Sequence, residues 1–207
     1  MFNPRTHRDF GWAWLSKLLI LLAYAGIATY LTLFLGEVYG MDIGEQLAFN
    51  ALAQIIGVAT VVLFSIAGGF LSDRLAKRKP FVFWGSIIMS FGIAFVAVSP
   101  LFGQSGLTII LLGSAVVGAG AGLFFAVDQA LCIALLPNPE DTAKDLGVLN
   151  IANSLPSSLS PFLAGVVVIP VGTALFGAGG GYMLWFAVAA LVGVVGAVLV
   201  TRIRGID

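Results

Sequence analysis

Residues 18–35 read LLILLAYAGIATYLTLFL, a run with no charged side chain. About 20 predominantly apolar residues suffice to cross the hydrocarbon core of a bilayer as a helix. The run is also longer than the roughly 7–15 apolar residues of a secretory leader, and no small-residue cleavage site closes it. It reads as a first membrane span despite Arg5 and Arg8 upstream. Further runs of the same kind predict six spans: Trp12 to Leu35, Ala48 to Leu71, Phe81 to Val98, Leu107 to Leu136, Gly147 to Ile169 and Tyr182 to Val200. Lipid offers no partner for an unpaired peptide group, so each span is expected to be helical. The runs do not alternate in polarity as strands of a membrane barrel do.

Composition agrees. The 207 residues are 59% hydrophobic and 10% charged, with mean hydropathy +1.05. About a quarter of a soluble domain is charged, so this chain cannot coat a water-facing surface. A net charge of zero gives no support for a nucleic-acid partner. One cysteine, Cys132, and one histidine, His7, exclude an internal disulfide and a metal cluster built on Cys and His, and no cofactor is expected. The spans contain no HExxH, no GxSxG and no His–Cys pair, which speaks against an intramembrane enzyme.

Charge sets the expected orientation. Arg5, Arg8, Lys17, Arg74, Lys77, Arg78, Lys79, Lys144, Arg202 and Arg204 all fall on one side of the six-span arrangement. The opposite loops hold acids, Glu37, Asp42 and Glu45, or no charge. Basic loops stay cytoplasmic, so both termini are expected inside a plasma or inner membrane. The loops are too short for a soluble domain, so residues 1–207 read as one all-α, six-helix polytopic bundle.

Polar side chains inside the spans mark candidate function. Tyr24, Thr29 and Tyr30 lie on span one, Asn50 and Gln54 one turn apart on span two, and Asp128 and Gln129 on span four. Span five carries Asn150, Asn153, Ser154, Ser157, Ser158 and Ser160. Spans three and six are plain and read as lipid-facing, with Tyr182 and Trp185 at an interface. Polar groups in lipid are costly, and they serve either as glue between helices or as the lining of a watery cavity. Four polar helices and two plain ones favour the cavity, with Tyr24, Tyr30, Asn50, Gln54, Asp128 and Asn153 as its expected lining. Asp128 is either part of an ion or proton pathway or a structural carboxylate paired with a base. Pro156 and Pro161 should kink span five. Gly118 and Gly122 form a GxxxG pair that permits close helix approach.

The segment Gly69-Phe70-Leu71-Ser72-Asp73-Arg74-Leu75-Ala76-Lys77-Arg78-Lys79-Pro80 joins spans two and three. It resembles the signature loop of the major facilitator superfamily, G-x-x-x-D-[RK]-x-G-R-[RK]. Gly69, Asp73, Arg74, Lys77 and Arg78 match, and Ala76 stands where glycine is usual. The opening Asn3 to Phe10 is similar to the linker entering the seventh helix of a twelve-helix member. Asp128 to Leu131 with Leu136-Pro137, and Lys144 to Val148 with Asn150 to Asn153, are similar to the C-terminal halves of bacterial facilitators. The resemblance implies half of a facilitator fold, with helices one and four lining the cavity, two and five flanking it, and three and six outside. It implies secondary transport of a small solute, with sugar as one expectation, driven by a proton or ion gradient. The loop residues Gly69, Asp73, Arg74, Lys77 and Arg78 would form a conformational gate. A second six-helix half, as a homodimer or a separate chain, would complete the transporter. Drug or metabolite efflux, and a non-transporting membrane subunit or chaperone, are the alternatives.

Overall fold

The computed structural model describes residues 8–135 and 142–204, apart from the side chains of 142 and 143. The segments 1–7, 136–141 and 205–207 lie outside the described residues, including Arg5, His7 and the Leu136-Pro137 pair. The described chain forms helices α1 (Arg8–Tyr39), α2 (Ile43–Leu75), α3 (Lys79–Val98), α4 (Gly106–Ala134), α5 (Thr142–Leu163), α6 (Ile169–Phe176) and α7 (Gly180–Val200). A 3-10 turn, Ser99–Ser105, joins α3 to α4, and a π turn, Ala164–Val168, joins α5 to α6.

Counted as uninterrupted apolar helices, five stretches are long enough to cross a membrane, against the six expected. The difference lies in one of them, Lys79–Ala134, which has 56 residues. As a straight helix it would run about 84 Å, nearly three times a hydrocarbon core of roughly 30 Å. It doubles back instead. Gly103, with φ 55 and ψ −131, breaks the 3-10 turn, and α3 packs along α4. A side chain on Gly92 would meet the α4 backbone at Val117 and Gly113, so the two backbones nearly touch.

Two expected loops shrink. The outer acids Asp42 and Glu45 form a capping box. Glu45 N donates to Asp42 Oδ1 at 2.8 Å, and Asp42 N donates to Glu45 Oε2 at 3.1 Å, which starts α2 at once. The expected loop from Pro170 to Gly181 is mostly helix. Pro170 falls in the first turn of α6, where its missing N–H costs nothing, and the chain turns only at Gly177 and Gly179, with φ of 80 and 83.

The packing order runs α2, α4, α3, α7, α1, α5, with α6 on α7 and only light contact between α1 and α2 or α4. The plain helices α3 and α7 each bury one face against their neighbours, where Ser86, Ser90, Gly193 and Gly196 pack, and leave an apolar face open at Trp84, Phe91, Leu191 and Val195. Their serines need no neighbour, because Ser86 and Ser90 hydroxyls donate to the carbonyls of Val82 and Ser86. Trp185 is likewise no interface anchor. It is buried, and its indole N–H donates to the Gly26 carbonyl at 3.3 Å. The least buried helix is α2, where only Ala53, Gly68 and Ser72 are covered.

Side-chain bonds tie one end of the bundle together. Arg78 Nη1 donates to the Ala130 carbonyl at 3.2 Å, Lys79 Nζ to that of Ile203, and Trp14 Nε1 to that of Val148 at 2.8 Å. Arg8, Arg74, Lys77, Lys144, Arg202 and Arg204 belong to the same helix ends. At the opposite end Tyr39 donates to Ser99 Oγ at 3.0 Å, beside Glu37, Asp42 and Glu45.

Candidate transport cleft

Two openings lie between α1, α2 and α4. The one at the acidic end is a wide vestibule of about 560 Å³, lined by Tyr39, Met41, Glu45, Phe49, Gln104 and Leu107 among others. The other, deeper along the same helices, is a cleft of about 50 Å³ between Tyr24, Ile27, Leu31, Gln54, Val61, Ser114 and Val117. Between the two, Asn50 Nδ2 donates to Thr32 Oγ1 at 2.7 Å and bridges α2 to α1. Asn50 Oδ1 is buried without a partner.

The floor is set by small residues. A side chain on Gly118 would strike Thr60 and the Gly57 carbonyl, so α4 and α2 approach to backbone contact beneath the cleft. This is the close approach that the Gly118–Gly122 pair predicts. Tyr24 stands on the α1 wall with its ring edge-on to Phe125 of α4, centroids 5.6 Å apart. Gln54 is exposed on the α2 wall, and Ser114 returns its hydroxyl to the Ile110 carbonyl at 2.9 Å. No charged side chain lines the narrow part, so it offers a phenol and an amide to a ligand.

Of the six expected cavity residues, the structure brings Tyr24 and Gln54 together and sets Asn50 one turn above them. The other three lie elsewhere. Tyr30 turns toward α5, where its hydroxyl donates to the Pro161 carbonyl at 2.9 Å and its ring lies against Tyr182 and Trp185. Asn153 sits exposed on α5 with Nδ2 3.4 Å from Asn150 Oδ1. Asp128 is buried in an ion pair, Oδ2 to Lys17 Nζ at 2.7 Å. Lys17 also donates to Gln129 Oε1 at 3.2 Å, and the Cys132 thiol lies 3.8 Å from the second Asp128 oxygen.

That pair corrects the charge reading. Lys17 is not a loop anchor. It lies nine residues into α1, enclosed by the bundle, and the positive end of the molecule holds the other described bases. The signal was present in the sequence, since Lys17 falls inside the span begun at Trp12. Thr32 and Ser114 are not among the polar residues that the sequence singles out.

The signature loop closes α2 as its pattern implies. Ala76 adopts φ 51 and ψ 29, the one left-handed non-glycine residue among those described. Its N–H donates to the Asp73 carbonyl at 3.3 Å, and Ser72 Oγ donates to the Lys77 carbonyl at 3.0 Å. Asp73, Arg74 and Lys77 are exposed and form no ion pair among the described residues. Gly69 has open space where a side chain would stand.

The sequence pattern of the Major Facilitator Superfamily matches residues 13–206, and the chain belongs to that family. It is an integral membrane protein of a transporter family, not an enzyme. Among named relatives, it is 27% identical over 155 residues to Peptide transporter YePEPT of Yersinia enterocolitica subsp. palearctica, covering 73% of this chain and 29% of that protein. It is 28% identical over 109 residues to Dipeptide and tripeptide permease A of Edwardsiella piscicida, covering 52% of this chain and 20% of that one. The chain thus spans under a third of either relative's length. Among solved structures, the POT family transporter PepTSo superposes with TM-score 0.75 at 18% identity, over 95% of this chain and 37% of that one. A peptide transporter POT in complex with sulfate gives 0.72 at 20% identity, over 95% and 38%. These likenesses establish the fold.

Proposed function

We propose that this chain is one six-helix half of a secondary transporter for small peptides, working by alternating access against a second half. The observation that carries the reading is the neutral, partly apolar cleft between α1, α2 and α4 at Tyr24 and Gln54, with a wider opening toward the acidic end of the same helices. At about 50 Å³ the cleft is far below the roughly 300–1,000 Å³ of a complete ligand pocket, as expected of a site shared between two halves. Peptide replaces sugar as the solute, because both named relatives are peptide carriers.

In this reading Asn50, Gln54 and Tyr24 serve the solute. The exposed Asp73, Arg74 and Lys77, with Arg78 on the end of α4 and Gly69 one turn before Asp73, form the gate that meets the second half. Both termini lie in the cytoplasm, with the basic end of the bundle inside the plasma membrane. A proton or ion gradient drives uptake.

The test is uptake of a labelled dipeptide into proteoliposomes holding the chain with its second half, with and without an imposed pH gradient. Accumulation that Gln54→Leu reduces supports the proposal. A second reading, a non-transporting subunit, is favoured by the Lys17–Asp128 pair, which neutralises the one acid deep in a described span. It predicts no uptake of dipeptide, sugar or drug under any gradient.

A further inference from the structure

The seam between α1 and α4 is built in rungs. Phe10, Lys17, Tyr24 and Leu31 recur every seven residues on α1, which places them on one face two turns apart. Opposite them on α4, Cys132 packs with Phe10, Asp128 pairs with Lys17, and Phe125 meets Tyr24 edge-on. One rung is ionic and fully enclosed, and the others are apolar or aromatic. The two helices touch only lightly over their whole length, and α1 packs chiefly on α7 and α5, so these few rungs are the direct contacts that relate α1 to α4. An apolar seam alone permits sliding by a turn, because one apolar contact exchanges for another. A single buried polar rung has only one partner and so fixes the register.

We propose that Lys17 and Asp128 are a positioning pair that sets the register of α1 on α4 and thereby holds Tyr24 at the wall of the cleft. Neither touches solute, and the carboxylate at position 128 carries no proton in the cycle. Groups facing the pair are Gln129, which takes a further Lys17 hydrogen bond, and Cys132, whose thiol faces Asp128. The pair's charges cancel, so its orientation is immaterial to the role. Only its uptake arm rests on the transport reading.

Cys132, the chain's single cysteine, is fully buried beside the pair and reports on it directly. The experiment measures maleimide labelling of Cys132 in the full chain in nanodiscs. Variants are Asp128→Asn, Lys17→Met, the exchange Lys17→Asp with Asp128→Lys, and the apolar double Lys17→Met with Asp128→Leu. Each single variant leaves a buried group without its partner and should label at least tenfold faster, or fail to fold. The exchange should restore folding and protection. Singles that label at the native rate, or an exchange that rescues neither, overturn the proposal. In the uptake assay the exchange should keep the native pH profile. The apolar double, protected but free to slide, should raise the dipeptide KM severalfold. An exchange that stays protected but flattens the pH profile, or an apolar double with native KM, also overturns it. Absence of uptake by the unaltered chain would count against the transport reading and leave the labelling result to decide this one.

Discussion

The Tyr30 hydroxyl donates to the Pro161 carbonyl at 2.9 Å, bonding α1 to α5 where α5 loses its regular ladder. Pro161 supplies no N–H to the turn before it, and the π turn Ala164–Val168 replaces i+4 bonds with i+5 bonds just beyond. Tyr30 gives the Pro161 carbonyl a partner that the disturbed helix does not guarantee. Tyr30→Phe keeps the ring contacts with Tyr182 and Trp185 and removes only this bond. It should cost about 1 kcal/mol, read as a lower midpoint of thermal denaturation in detergent. An unchanged midpoint would show that the bond contributes nothing.

Ala76 carries the signature turn in a conformation that costs an L-residue about 1–2 kcal/mol. Glycine there removes the strain and gives back part of the gain through its freer unfolded chain. Ala76→Gly should therefore raise the denaturation midpoint, by the equivalent of about 0.5 kcal/mol. A lowered midpoint would contradict the left-handed geometry.

Gly92 tests how α3 lies on α4. An added methyl would sit 2.5 Å from Val117 N and 2.8 Å from the Gly113 carbonyl, both backbone atoms that cannot swing aside. Gly92→Ala should destabilise the bundle by about 1–3 kcal/mol, visible in denaturation or in lost expression. Gly69→Ala, with open space at the same point, should be mild by comparison in the same measurement.

Gln54 lines the cleft yet is exposed, so its loss should spare the fold. Gln54→Leu should leave the denaturation midpoint within about 0.5 kcal/mol of native, the usual range for an exposed site, while reducing dipeptide uptake severalfold. Equal loss of uptake and stability would make Gln54 a packing residue.

The helix pattern was legible because apolar runs and charge asymmetry are strong signals in lipid. What escaped was side-chain direction. Asn50 and Gln54 were correctly placed on one face of α2, since one turn separates them. Tyr24 and Tyr30 are six residues apart and so face different neighbours, one toward α2 and α4, the other toward α5. Lys17 shares the sign of the loop bases, but its depth in α1 implies a buried partner. Pro170 read as a loop residue because a proline usually ends a helix. In the first turn after a π turn it does not. The plain helices α3 and α7 keep an open apolar face, and glycines and self-bonded serines let their other face pack closely on neighbouring helices.

Native mass spectrometry of the chain extracted in nanodiscs tests the central claim most directly. A transporter half with exposed Gln54, Asn150, Asn153 and Ser154 on α2 and α5 should be recovered with a second six-helix half, either another copy or a separate chain. Recovery of a stable 21.6 kDa monomer under all mild extraction conditions would contradict it.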